Sequence, residues 1–69
     1  MCLSTIYKES LEEQNILMKN VMKLECRDGM VILTDLLERQ LALEGELIMA
    51  NLVDGYALVR ERSGMDAGL

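Results

Sequence analysis

Two stretches of this chain, CRDGMV (Cys26–Val31) and LVDGYA (Leu52–Ala57), place Asp-Gly between apolar residues. That dipeptide is the strongest short-range hairpin signal, because both central residues of a type I′ turn need positive φ. Two hairpins are therefore predicted. In the first, a two-residue turn at Asp28 and Gly29 pairs Arg27 with Met30, Cys26 with Val31 and Leu24 with Leu33, which brings the apolar residues to one face. In the second, a turn at Asp54 and Gly55 sets Leu52 opposite Ala57 and Ala50 opposite Val59.

The second hairpin is apolar on its other face as well, through Met49, Val53, Tyr56 and Leu58. A sheet that is apolar on both faces is buried on both faces. In a domain this small the second cover is expected to be another copy of the chain. Between the hairpins, Leu36 to Arg39 read as a turn or short helical loop, followed by a strand from Gln40 to Glu44. Gly45 then bends the chain into the next strand, since a glycine inside a strand pattern marks a bulge or barrel corner. The tail, residues 63–69, is small and polar and is expected to be flexible, leaving residues 1–62 as the single domain.

Residues 8–24 carry two competing patterns. Ser10 with Glu13 matches a capping box, and Leu17, Met18, Val21 and Met22 fall at helical spacing, which favours an amphipathic helix. The alternative is a strand ending near Lys8, a polar reversal through Glu12 to Asn15, and a new strand from Ile16.

Length and composition narrow the class. A chain of 69 residues holds one domain, and at this size only about 60% of the unfolded surface is buried. With 51% hydrophobic residues but only two aromatics, Tyr7 and Tyr56, the core must be built from Leu, Ile, Val and Met, and oligomerisation is a common support for so small a core. Two cysteines make no disulfide scaffold, and the first ten residues lack the basic and apolar regions of a signal peptide, so a cytoplasmic location with reduced thiols is expected. The apolar runs are far short of the roughly 20 residues that cross a bilayer. A net charge of −5 repels phosphate backbones and anionic lipid, so neither nucleic acid nor membrane is the expected partner.

The opening Met1-Cys2 with Ile6-Tyr7 close behind, the central GMVILTDLLER and the later LALEGELIMANLVDGYALV together resemble the CooT-like small nickel-binding proteins, over Met1 to about Glu61. The resemblance implies an all-β, SH3-like barrel of about six to seven short strands and a homodimer, and it favours the hairpin reading of residues 8–24. It further implies a nickel-binding accessory protein, a metallochaperone or nickel buffer, that supports maturation of a nickel enzyme such as carbon monoxide dehydrogenase. The family's functional residue is the second-position cysteine, which here is Cys2. Cys26 matches no family position.

The chemistry available at that end fits the implied metal. The Met1 α-amine, the Cys2 amide nitrogen once deprotonated and the Cys2 thiolate close two fused five-membered chelate rings, and nitrogen and sulfur donors in a plane suit Ni(II). If Met1 is removed, the amine and thiolate of Cys2 still close one ring, and two chains offer an N2S2 set. A thiol of ordinary pKa about 8.5 must lose its proton, so binding strengthens as pH rises. The plain alternative is that Cys2 begins a strand and packs, with the parity of Ser4 and Ile6.

Other residues carry weaker signals. Cys26, on the face of Leu24 and opposite Val31, reads as a core thiol rather than a ligand. Met18, Met22, Met30 and Met49 could suggest a soft Cu(I) site, but scattered methionines are usually gap-filling core residues. Glu12, Glu13, Glu44 and Glu46 read as a solvated acidic face. With no histidine in the chain there is no Ser-His-Asp or Cys-His pair, and no phosphate-binding glycine loop, so no enzyme is expected. Two other functions stay in view. A small barrel could bind RNA, which would want basic strands and stacking aromatics, or it could be a plain protein-interaction module with Cys2 incidental.

Overall fold

The computed structural model describes residues 3–62. Met1, Cys2 and residues 63–69, for which the sequence raises expectations, lie outside the described residues. Five strands close into a barrel in chain order: β1 (Ser4–Lys8), β2 (Ile16–Arg27), β3 (Met30–Asp35), β4 (Gln40–Asn51) and β5 (Tyr56–Glu61). Neighbouring strands run antiparallel except where β1 meets β5, in parallel, to close the ring. The all-β barrel expected from the resemblance is present. The strand count differs because β2 and β4, each 12 residues long, are single bent strands that serve twice. β2 pairs with β1 through Ile16–Val21 and with β3 through Val21–Arg27. β4 pairs with β3 through Gln40–Glu44 and with β5 from Gly45 onward.

Each bend has a local cause. In β2, Asn20 takes a left-handed φ of 57°, a region that asparagine tolerates better than most residues, and the ladder slips between Val21 and Lys23. In β4 the bend falls at the predicted Gly45, where a Cβ would collide with the main-chain carbonyl of Arg60. No other residue can let β4 and β5 approach so closely.

The first hairpin has the predicted register, with Arg27 opposite Met30, Cys26 opposite Val31 and Leu24 opposite Leu33. Both Asp28 (φ 53°) and Gly29 (φ 76°) are left-handed, as a type I′ turn requires. The second hairpin departs from prediction by two residues: Asn51 faces Tyr56, Ala50 faces Ala57 and Met49 faces Leu58, with a bulge before Leu47 meets Val59. Asn51 is the reason. Its Oδ1 accepts the N–H groups of Val53 (3.1 Å) and Asp54 (2.9 Å), while Gly55 N–H donates to the Asn51 carbonyl at 2.9 Å. This Asx turn spans Leu52–Gly55 and places only Gly55 in the left-handed region.

Residues 8–24 adopt the strand reading. β1 ends at Lys8, Glu9 turns through a φ of 72°, a short 3-10 turn occupies Glu13–Asn15, and β2 starts at Ile16. Ser10 does not cap a helix; its Oγ accepts the Asn15 Nδ2 at 2.7 Å and holds the reversal. Helical spacing in the sequence is overridden because Val21 is needed in the core and Met22 sits in the β2 bulge.

The core is aliphatic, as the scarcity of aromatics requires. Ile6, Val21, Val31, Leu33, Leu43, Ala57 and Val59 are buried, with Leu17, Met18, Leu24 and Leu41 packed against them. The two tyrosines lie outside it, ring edge to face at 6.3 Å.

One buried carboxylate holds the β3–β4 loop. Asp35, 2% exposed, accepts the amides of Leu37 and Arg39 on Oδ1, both at 2.9 Å, and the Arg39 Nε on Oδ2 at 2.8 Å. Burial alone would raise its pKa. The Arg39 amide and guanidinium hydrogen bonds, the Leu37 amide and the Arg39 charge outweigh it, and the carboxyl titrates below the usual aspartate value. A carboxyl depressed in the folded state contributes stability that is complete above its unfolded pKa of about 3.9 and is lost as pH falls through the lower folded value. Asp35→Asn should therefore lower the urea midpoint at neutral pH, and the gap from wild type should close as the solution is acidified below about pH 4. A gap that stayed constant down to the acid transition would contradict this.

Candidate functional site: an amino-terminal end beside an apolar groove

The described chain emerges at Leu3 and Ser4, at a place set by three strands. Ser4 faces Val21 of β2, and the Thr5 N–H donates to the Gly55 carbonyl at 3.0 Å. Gly55 is also where a side chain would press on the Leu3 carbonyl, at 3.2 Å. The second Asp-Gly turn therefore cradles the start of β1.

Ser4 lies on the wall of a groove of about 460 Å³. The floor reaches the core at Ile6, Val21 and Ala57, and the rim carries Met22, Leu47 and Leu52, three apolar side chains 44%, 39% and 77% exposed. Lys23 is the one charged residue of the lining. The groove exists because β1 stops at Ser4 opposite Val21, while β2 continues to Arg27 paired only with β3 among the described residues.

Cys26 corrects a sequence expectation. It was expected in the core and is exposed. Its partner Val31 is covered on the other side by Leu43 of β4, but Cys26 lies on the outer strand, well past the end of β1. It borders a shallow depression with Met30, Gly45 and Leu47. No group of three or more cysteine, aspartate or glutamate side chains that could hold a metal occurs among the described residues.

The remaining candidates are dispersed. Met18 and Met22 lie on β2, Met30 at the start of β3 and Met49 on β4. Glu12, Glu13, Glu44 and Glu46 are exposed, as expected of a solvated face, and Glu46 pairs with Arg60 at 3.3 Å. The apolar outer face predicted for the last hairpin is present in part: Met49, Tyr56 and Leu58 are half-buried, whereas Val53, at the tip of the Asx turn, is 95% exposed. The sequence reading missed the groove. Its signal was the mismatch in length between a five-residue β1 and a twelve-residue β2.

The described residues form a small closed barrel with an apolar groove beside the start of β1. The chain belongs to the family described as CO dehydrogenase accessory protein CooT, whose model matches residues 1–60. No curated protein matches it. Among the described residues no helix is long and apolar enough to cross a membrane.

The position of Cys26 has a measurable consequence. Cys26→Ser should change stability by less than about 0.5 kcal/mol, as for other surface substitutions. In a Cys2→Ser background, one thiol per native chain should react promptly with a thiol reagent. A thiol that reacted only after unfolding would place Cys26 in the core after all.

Proposed function

We propose that this protein is a nickel carrier that serves a nickel enzyme, carbon monoxide dehydrogenase being the client its family name indicates. Ni(II) is its cargo, held by the Cys2 thiolate and the neighbouring main-chain nitrogen, with the Met1 α-amine as a further donor where Met1 is retained. The observation that carries this reading is the family match reaching residue 1 in a chain without histidine, whose second residue is a thiol placed for chelation with main-chain nitrogen. A five-membered ring of amine and thiolate needs no preformed pocket. The fit rests on the donor chemistry, since these two residues lie outside the described part of the chain. The reaction is transfer of an ion, with no covalent catalysis, in a cytoplasmic setting that keeps the thiol reduced.

A homodimer completes the proposal, bringing two Cys2 ends into one assembly. Its support is the outer face of β4, β5 and β1, where Met49, Leu58, Tyr7 and Tyr56 stand half-buried on the side away from the core. Such a face gains from a cover of the same kind.

Two measurements test this. Intact-mass and absorption titrations should show Ni(II) bound with thiolate charge-transfer bands in the wild type and lost in Cys2→Ser, with Cys26→Ala unaffected and binding strengthening as pH rises. Bands that survived in Cys2→Ser and vanished in Cys26→Ala would identify the other sulfur. By sedimentation, Leu58→Glu should convert a wild-type dimer to monomer or aggregate, because an unpaired charge buried at an interface is costly. A monomeric wild type at micromolar concentration would contradict the dimer.

A further inference from the structure

The apolar groove and the edge of β2 that is unpaired beyond Val21 among the described residues form one continuous surface, and we propose that it is the docking site for an extended segment of the client enzyme, taken up as an additional strand along Met22–Arg27. This rests on the carrier reading above and adds where the client binds and what kind of segment it presents.

Three observations converge on that occupant. First, Lys23–Arg27 pair with β3 alone among the described residues, Met22 standing in the bulge before them, so main-chain donors and acceptors stand ready along one side, the arrangement that accepts an added strand. A globular surface or a helix leaves those groups unpaired; an extended segment satisfies them. Second, the edge borders the groove whose rim is Met22, Leu47 and Leu52 and whose floor is the core at Ile6 and Ala57. An added strand presents every second side chain to that groove, and aliphatic residues at alternate positions would fill it.

Third, charge selects among such segments. The molecule carries a net charge of −5, yet the one charged group lining the groove is Lys23. Its ammonium makes no ion pair among the described residues, whereas Lys8, Arg27, Arg39 and Arg60 each have a carboxylate within 4.0 Å; Lys19 and Arg62 are likewise without an ion pair among the described residues, but neither lines the groove. A carboxylate on the incoming strand pairs with Lys23, and the acidic remainder of the surface disfavours other approaches. The segment is thus extended, aliphatic at alternate positions and acidic at one position beside Lys23. Because Ser4 lines the same groove, such docking brings the client to within a few residues of Cys2.

The test uses nickel-loaded, full-length protein and purified nickel-free carbon monoxide dehydrogenase. Leu52→Asp and Lys23→Glu should each weaken the complex at least tenfold by biolayer interferometry. Nickel stoichiometry and sedimentation should match wild type, since neither residue lies at the amino terminus or on the outer face of β5. Hydrogen exchange should show new protection at Met22–Arg27 in the complex. Variants that bind the enzyme like wild type, or protection confined to other strands, would overturn the docking site while leaving nickel binding at Cys2 untouched. Loss of self-association in the same variants would show that a second copy occupies the groove, and the proposal would fail. If wild-type protein does not bind the enzyme at micromolar concentration, both this site and the choice of client fail, and nickel binding in Cys2→Ser against wild type still decides the carrier reading separately.

Discussion

Everything in this small barrel depends on two strands that change partners halfway along their length. A chain with so little surface to bury cannot afford separate strands for each sheet, and β2 and β4 solve this by bending, one at Asn20 and one at Gly45. The Gly45 bend is the stricter of the two, because the Arg60 carbonyl occupies the space a side chain would need. With those bends made, seven aliphatic side chains drawn from all five strands meet in one cluster. The β2 bend lets one strand join β1 to β3, and the β4 bend lets one strand join β3 to β5.

The same economy leaves the molecule incomplete on one side. β1 is five residues long and β2 is twelve, so closing the ring with β1 uses only the Ile16–Val21 half of β2. Among the described residues, the unmatched part of β2 and the groove beside it follow directly, next to the start of β1. Among the described residues, the part of β2 left without a partner on the β1 side lies beside the start of β1, and the carrier proposal and the docking proposal draw on that one geometric fact.

Much of this was legible in the sequence, and the misses have identifiable causes. The Asp28-Gly29 turn gave its register directly because nothing near it competes for the backbone. The Asp54-Gly55 turn did not, although the dipeptide is identical, because the Asn51 side chain captures the Val53 and Asp54 amides and widens the loop. Residues 8–24 carry a helical and a strand pattern at once, and the resemblance favours strands; the positive φ of Glu9 and the bond between Ser10 and Asn15 are not properties that periodicity reports. Cys26 reads as a core residue from its cross-strand neighbour Val31 and from Leu24 on the same face. Burial of an edge residue depends on the strand beyond it, and no local pattern reveals where β1 stops. Of the proposed metal site, the donor chemistry was legible and the groove beside it was not.

The most direct measurement of the central claim, that nickel is held at the end of the chain beside the groove, is a titration of isotopically labelled protein with Ni(II) followed through backbone amide resonances. The account predicts that shifts concentrate at Leu3, Ser4, Lys23, Gly55 and Tyr56, the residues around the start of β1, while the Asp28-Gly29 hairpin tip and the Asp35 loop stay unchanged. Shifts centred on Cys26, Met30 and Glu46, with the start of β1 unaffected, would contradict it.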